Sequence, residues 1–402
     1  MKKIVQKFGG TSLNSDKKRK MAAKKVKKAV DKGYSPIVVV SAMGRFGDAY
    51  ATDTLINIAT EITSDIDPRE KDLLMSCGEV ISAVTFVQYL KKLDLDGLAL
   101  TGSQAGIETN KRHGESRVKQ VKPDRIFSAL KEDKIPVVAG FQGESDDNEI
   151  TTLGRGGSDT TASILADAVQ GEYIEIFTDV NGLMTADPGL VDNAKTLDKI
   201  SYKEACELAY QGARVIHPRA AEIARSSFIP IKIKSIYSNK PGTLIHKTNF
   251  KKIESDKMIT GVASRNNIVF IKIKNSNQNK YESGLKIFDE LANEEISVDF
   301  INIRRQAISF IVIKSKYDNL INVLENGDYD FDISDQYVKL SLVGGGMTGR
   351  PGVMARVVEA LNKKGISIFQ TTDSHTTISC LIKAKDEKKA LNILHEAFNL
   401  SK

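Results

Sequence analysis

The sequence has little of what would tie a chain to a disulfide framework, a metal or a membrane. Only three of its 402 residues are cysteine, Cys77, Cys206 and Cys380. They are odd in number, far apart and have no histidines beside them, which argues against both a stapled fold and a zinc site and leaves three ordinary reduced thiols. Long apolar runs are missing too, since none approaches the roughly 20 residues needed to cross a bilayer. The opening MKKIVQKFGG turns at a glycine pair after a few residues, without the apolar stretch of a secretory signal. A cytoplasmic protein with no membrane contact is expected.

Negative charge is also in short supply, and the shortage has one origin. The net charge is +7, yet residues 17 to 32, KKRKMAAKKVKKAVDK, hold nine Lys or Arg against one Asp, and the other 386 residues sum to −1. Within that run Met21, Ala22, Val26, Ala29 and Val30 recur at helical spacing, which predicts an amphipathic helix with a basic outer face. No aromatic platform or groove-reading motif accompanies it, so the face reads as solvated and no nucleic-acid partner is expected. What remains is a globular composition, 41% hydrophobic and 27% charged, long enough for two or three domains.

Up to about residue 245, short apolar strands alternate with helical stretches. Strands are expected at 3 to 7, 35 to 44 (SPIVVVSAMG), 135 to 143 (IPVVAGFQG), 173 to 182 (YIEIFTDVNG) and 229 to 235 (IPIKIKS). Several are unbroken Val/Ile runs, the mark of strands covered on both faces of a mainly parallel sheet. The expected fold is therefore an α/β, three-layer α/β/α sandwich, with ligands at the carboxyl ends of the strands. Beyond it the chain repeats: residues 292 to 324 align without a gap on 362 to 394 at an offset of 70, matching Ile296 to Ile366, Ser309 to Ser379 and Leu324 to Leu394. Each copy reads as a ferredoxin-like βαββαβ module with a final or borrowed strand. The expected divisions are 1–246, 258–335 and 336–402, separated first by the basic, polar run 247–257.

Two glycine turns carry the chemistry. In QKFGGTS (6 to 12) Gly9 and Gly10 follow a strand and precede the basic helix, letting the backbone approach an anion while Lys7 faces it from the strand end. In TTLGRGGSDTTA (151 to 162), Gly154, Gly156 and Gly157 form a second nest leading through Ser158 and Asp159 into a helix. Arg155 offers a planar fork for a carboxylate. Neither turn is a GxGxxG or a GxxxxGK, so a dinucleotide fold and a P-loop ATPase are disfavoured. Glu79, in the apolar LLMSCGEVIS (73 to 82), can accept an ammonium group or simply pair with a helix dipole. FTDVNGLMTADP (177 to 188) suits a ribose and base or a plain turn. VGGGMTGRPGV (343 to 353), inside the second module, points to regulation more than to catalysis.

In order, KFGGTS, IVVVSAMG, SCGEVIS, TGSQAG, VVAGFQG, TTLGRGGSDTTA, FTDVNGLMTADP, HPRA and YSNKPGTLI resemble the aspartokinases, members of the amino-acid kinase fold. The likeness covers essentially the whole chain. It implies transfer of the γ-phosphoryl group of MgATP to the β-carboxylate of L-aspartate, with ATP and Mg2+ required and the repeated modules acting as amino-acid-sensing ACT domains. By resemblance, Lys7 and Asp159 are catalytic, and Thr52, Glu79, Arg155, Gly156, Gly157 and Ser158 bind aspartate. Lys7, Gly9, Gly10, Ser41, Thr178, Asp179, Gly182 and Asp187 border the nucleotide, joined by Lys232 or Lys234; strand alternation sends both lysines to one face and cannot choose between them. No protein ligand for the metal is assigned. GRFGDAYATDTL (44 to 55) and TTDSHTTI (371 to 378) are similar to the diaminopimelate-sensitive aspartokinase I type. The first module reads NSNQNKYESGLKIF where lysine- and threonine-sensing relatives carry a Pro-Gly turn, which favours meso-diaminopimelate as effector. A homodimer through the ACT domains is implied. The competing reading is an amino-acid sensor on an inactive kinase domain.

Overall fold

A computed structural model describes residues 1–213, 215–247, 258–274, 285–327, 329–347 and 349–401. The expected linker beyond residue 247 and most of NSNQNKYESGLKIF lie outside them. Two compact units divide the chain. The first holds Met1–Leu183, Thr196–Tyr210 and the described residues of 214–253; the second holds Met184–Lys195, Gln211–Ala213 and the described residues of 254–402.

The first unit begins β1 (Lys2–Phe8), α1 (Asp16–Val30), β2 (Tyr34–Val40), α2 (Thr52–Thr60), α3 (Pro68–Lys91) and β3 (Gly97–Leu100). It continues β4 (Ile107–Thr109), β5 (Val118–Val121), α4 (Asp124–Lys131), β6 (Ile135–Ala139), β7 (Gln142–Ser145), β8 (Ile150–Thr152) and α5 (Gly157–Ala168). It ends β9 (Ile174–Thr178), β10 (Lys199–Ser201), α6 (Tyr202–Tyr210), α7 (Pro218–Ser226), β11 (Ile231–Ser235) and β12 (Thr243–His246). Eight strands form one sheet in the order β10-β12-β11-β9-β1-β2-β6-β3, parallel except where β11 meets β12. All five strands anticipated from sequence are in it. The alternating runs on β4, β5, β7 and β8 were not anticipated and make a second, four-stranded sheet.

Side-chain alternation sets the two faces of the large sheet. Phe8, Val38, Val40, Val137, Ala139 and Phe177 point to α1 and α3, where they form one apolar cluster with Ala22, Val26, Ala83, Phe86 and Leu90. Phe8 and Phe177 stack with ring centroids 4.9 Å apart. Lys7, one residue from Phe8, must point to the other face, where α5 lies against β1, β2 and β9. The expectation of no membrane-length apolar run needs correction: α3, with 24 residues, is long and apolar enough to cross a bilayer by length and composition. Its polar Asp72, Ser76, Glu79 and Ser82 are buried along with its apolar residues, so it reads as the core helix of the sandwich.

The second unit holds β13 (Gly261–Arg265), β14 (Ile268–Lys274), α8 (Ile287–Asn293), β15 (Asp299–Arg304), β16 (Ala307–Ile313), α9 (Tyr317–Asn326) and β17 (Phe331–Ser334). After these come β18 (Tyr337–Val343), α10 (Val353–Asn362), β19 (Gln370–Asp373), β20 (Thr377–Lys383) and α11 (Glu387–Ala397). One sheet runs β15-β16-β14-β17 and is a complete βαββαβ module. The other runs β13-β18-β20-β19: its fourth strand comes from residues 261–265, which the sequence placed in the first module. Val262 lies in the same apolar cluster as Val338, Leu340 and Leu342 of β18, so burial of that edge selects the borrowed strand. The segment Met184–Lys195 also belongs here, with Ala186 and Val191 in that cluster and Asn392 Nδ2 donating to the Leu190 carbonyl.

Candidate active site

The parallel strands β9, β1, β2 and β6 all end on one edge of the sheet. β1 has β2 on one side and β9 on the other, so chain progression reverses there, the position at which such sheets take ligands. The first glycine turn leaves β1 at this edge. A Cβ on Gly10 would lie 2.5 Å from the Ala42 carbonyl oxygen and 3.0 Å from that of Gly44. Only glycine allows the turn to interlock with the Ser41–Gly44 turn that follows β2, fixed by Gly44 N–H donating to the Gly10 carbonyl at 3.1 Å.

From β1, Lys7 Nζ reaches Asp159 Oδ1 at 2.6 Å, both side chains 12% exposed. Asp159 lies in the first turn of α5, and its other oxygen accepts the His217 backbone N–H at 3.1 Å. The second glycine turn makes this possible: Gly156 has φ 68, and a Cβ there would come within 2.1 Å of His217. Burial holds His217 below its ordinary imidazole value, although Asp159 pulls the other way. Gly154, with φ 74, precedes Arg155, which is exposed and has no ion pair among the described residues. Ser158 is buried, with its hydroxyl against the Gly140 turn.

Glu79 enters from α3. Its Oε1 accepts the Ala42 N–H at 3.0 Å, while Oε2 is buried with no partner among the described residues. Burial pushes the carboxyl up to about 8, opposed by the Ala42 amide and by Lys7. Gly78 before it costs about 1 kcal/mol inside a helix relative to Ala, but a Cβ there would stand 2.9 Å from both Ala42 Cβ and the Tyr50 carbonyl oxygen. Its absence lets both the Ser41 turn and the loop leading to Thr52, the first residue of α2, lie against α3 beside Glu79. Asp72, fully buried two turns before Glu79, was not anticipated. It accepts from Gly114 N, Thr152 N and Thr152 Oγ1 and meets His113 Nδ1 at 3.0 Å, tying α3 to the strand that feeds the second glycine turn. A carboxylate seven residues before Glu79, on the same helix face, was the available signal.

Thr178 and Asp179 lie at the end of β9, where the Thr178 hydroxyl donates to Asp179 Oδ1 at 3.0 Å, and a Cβ on Gly182 would stand 2.4 Å from Thr243 Oγ1. Asp187 belongs to the second unit, where its Oδ1 accepts the Gly189 N–H in a local turn. Lys232 is in register with Glu175 and, through it, with Gln6, so it occupies the face opposite Lys7. Its ammonium sits 3.4 Å from the Tyr173 ring centroid, and Lys234 pairs with Glu175 at 2.9 Å. Neither lysine joins the Lys7 and Asp159 site. Alternation had put the two on one face without telling which.

A lysine paired with an aspartate at the strand ends, between two glycine turns and near the buried Glu79, makes a small-molecule site at the switch point of the sheet, and residues 2–235 match the amino acid kinase family. Residues 332–396 match the ACT domain. The chain is 47% identical to aspartokinase 1 of Bacillus subtilis over all of both chains, and 39% identical to an aspartokinase of Geobacillus stearothermophilus over 99% of this chain and 97% of that one. Among solved structures it resembles E. coli aspartokinase III in complex with aspartate and ADP, at TM-score 0.82 and 25% identity, covering 98% and 99% of the two chains. The lysine and aspartate complex of that enzyme matches at TM-score 0.76 with the same identity and coverage. The chain belongs to the aspartokinases, ATP-dependent kinases of aspartate regulated through ACT domains.

Proposed function

We propose that the reaction runs between the two glycine turns, with the β-carboxylate of L-aspartate attacking the γ-phosphoryl group of MgATP to give 4-phospho-L-aspartate and ADP. A carboxylate with pKa near 3.9 is already ionised at pH 7, so the site needs no general base. It needs positioning and positive charge for a loose transition state crowded with anionic oxygens. Lys7 supplies the charge, Asp159 holds its ammonium in place, and the turn amides at Gly9, Gly10, Gly156 and Gly157 receive phosphate oxygens. Arg155, free of other carboxylates, takes the α-carboxylate of aspartate. Glu79 takes the α-ammonium on its unpartnered oxygen, and Thr52 and Ser158 border the acceptor. Ser41, Thr178, Asp179 and Gly182 line the nucleotide, and magnesium arrives with its phosphates. The observation that carries this reading is the Lys7 and Asp159 pair held between two turns that admit only glycine.

The kinase part occupies 1–246 apart from 184–195 and 211–213, which belong to the second unit. One ACT module spans 268–334, inserted between β13 and the rest of the second. The loop RPGV (350–353) with Gly352 at φ 88 opens α10 and suits an effector carboxylate, with meso-diaminopimelate preferred. Ile301 and Ile303 are about half exposed on the edge strand β15, which suits pairing of ACT sheets in a cytoplasmic homodimer. A coupled kinase assay tests the reading. Aspartate must be phosphorylated while glutamate, carbamate and UMP are not, and diaminopimelate must inhibit where lysine and threonine do not. Turnover with glutamate equal to that with aspartate would refute the acceptor assignment.

A further inference from the structure

The lysines that strand alternation left unassigned lie beside a pocket on the face of the large sheet opposite Lys7. Its volume is about 120 Å³, and its walls carry Lys25 and Lys28 from α1, Lys32 from the turn after it and Lys234 from β11, with Gln6 and Glu175 below. Tyr34, Tyr173 and Phe177 supply the apolar part of the lining.

The charge there is not balanced. Glu175 is the one carboxylate in the lining, 7% exposed, and it is already committed: Oε1 to Lys234 at 2.9 Å and Oε2 to Gln6 Nε2 at 2.7 Å. None of Lys25, Lys28 and Lys32 pairs with a carboxylate among the described residues. Lys25 Nζ instead donates to the Ser238 carbonyl at 2.6 Å and to Asn239 Oδ1 at 3.2 Å, and Lys28 approaches the same Asn239 oxygen at 3.4 Å. Burial, then the ammonium groups of Lys234 and Lys28, pushes Lys25 below the ordinary lysine value. Gln6 adds a second, independent sign. It is 1% exposed, and its Oε1 has no donor among the described residues.

From this arrangement we infer that the pocket under α1 binds a compact phosphate-type polyanion, separately from the catalytic turns. Three ammonium groups with only neutral acceptors or none, around one partly open pocket, ask for a ligand of charge near −3. Lysine presents a compact point charge, which suits tetrahedral phosphate, and the pocket has no arginine fork of the kind that selects planar carboxylates. The volume is slightly below the ~150 Å³ of a cavity that takes benzene, enough for one or two phosphoryl groups. A phosphate hydroxyl is the donor that Gln6 Oε1 lacks. The basic face of α1 thereby acquires a ligand in place of bulk solvent.

The two sources of such an anion are inorganic pyrophosphate and the phosphates of a nucleotide. The full-length protein is treated with an acylating N-hydroxysuccinimide ester, with pyrophosphate, ADP or neither present, and modification of each lysine is read by peptide mass spectrometry. Pyrophosphate is expected to protect Lys25, Lys28 and Lys32 at least threefold. Protection by pyrophosphate alone assigns the free anion; equal protection by ADP assigns a nucleotide. Lys28→Ala with Lys32→Ala, both exposed and away from the turns, is expected to abolish protection of Lys25 and leave kcat and the KM for aspartate unchanged. Glu175→Gln, which removes the opposing charge, is expected to strengthen pyrophosphate binding several-fold. No protection of Lys25 at pyrophosphate concentrations that protect Lys7, or protection of Lys25 that survives the double substitution, would overturn the inference.

Discussion

Lys7 and Asp159, one on the first strand and the other on the fifth helix, meet at 2.6 Å on the face of the sheet opposite the α1 and α3 core. Removing the ammonium with Lys7→Ala takes the charge from the transferring phosphoryl group. Loss of one such electrostatic group costs about 10²–10³ in kcat. Asp159→Asn keeps the shape but no longer anchors the amine, so a smaller loss, ~10- to 50-fold, is expected. Steady-state kinetics with circular dichroism checks both, and unchanged kcat in a folded Lys7→Ala protein would remove Lys7 from the reaction.

Arg155 is exposed between two glycines and pairs with no carboxylate among the described residues. A hydrogen bond to a charged group is typically about 1.5–3 kcal/mol, so Arg155→Ala should raise the aspartate KM by ~10- to 100-fold. The ATP KM should change by less than a factor of about three. Equal rises in both would assign the guanidinium to the nucleotide.

Gly156→Ala tests the joint between the second turn and His217. The new Cβ meets His217 at 2.1 Å in a backbone with φ 68. Left-handed backbone costs about 1–2 kcal/mol for an L-residue and overpacking a further 1–3, so about 2–5 kcal/mol of stability should go. Because Asp159 accepts the His217 N–H, kcat should fall with it. Thermal unfolding reads the first effect and initial rates the second; a variant of unchanged Tm would show that the turn tolerates a side chain.

How far the sequence carried this picture depended on whether the deciding information was local. The ends of β1, β2 and β9 were legible because Val/Ile runs stop at Gly, Ser or Asp, and the basic helix was legible from its apolar spacing. The partner of β13 was not, since strand pairing across the intervening module is decided by burial of Val262 beside Leu340 and Leu342. Lys232 failed for a related reason: alternation fixes which residues share a face but not which helix covers that face. Asp72 went unread because it stands at the polar margin of the apolar motif, and its partners at Gly114 and Thr152 are distant in sequence.

Glu79 offers a prediction in which function and stability pull apart. Burial holds its carboxyl at about 8 against an ordinary 4.5, so at pH 7 the aspartate-free enzyme keeps it largely protonated. Binding an ammonium group favours the carboxylate and expels that proton, so the aspartate KM should fall as pH rises from 6.5 to 8 and level off above. Stability runs the other way: a carboxyl whose folded pKa is raised contributes fully below about 4.5, and that contribution is lost as pH climbs through about 8. Glu79→Gln stays neutral throughout. It should therefore bind aspartate poorly with a KM flat in pH, yet unfold at a higher Tm than the parent at pH 9, the pattern expected where a binding site retains a destabilising charge. If the KM profile of the Gln variant keeps the parent's slope, another group binds the ammonium. If the variant is the less stable at pH 9, the Glu79 carboxylate is better compensated there than its one unpartnered oxygen indicates.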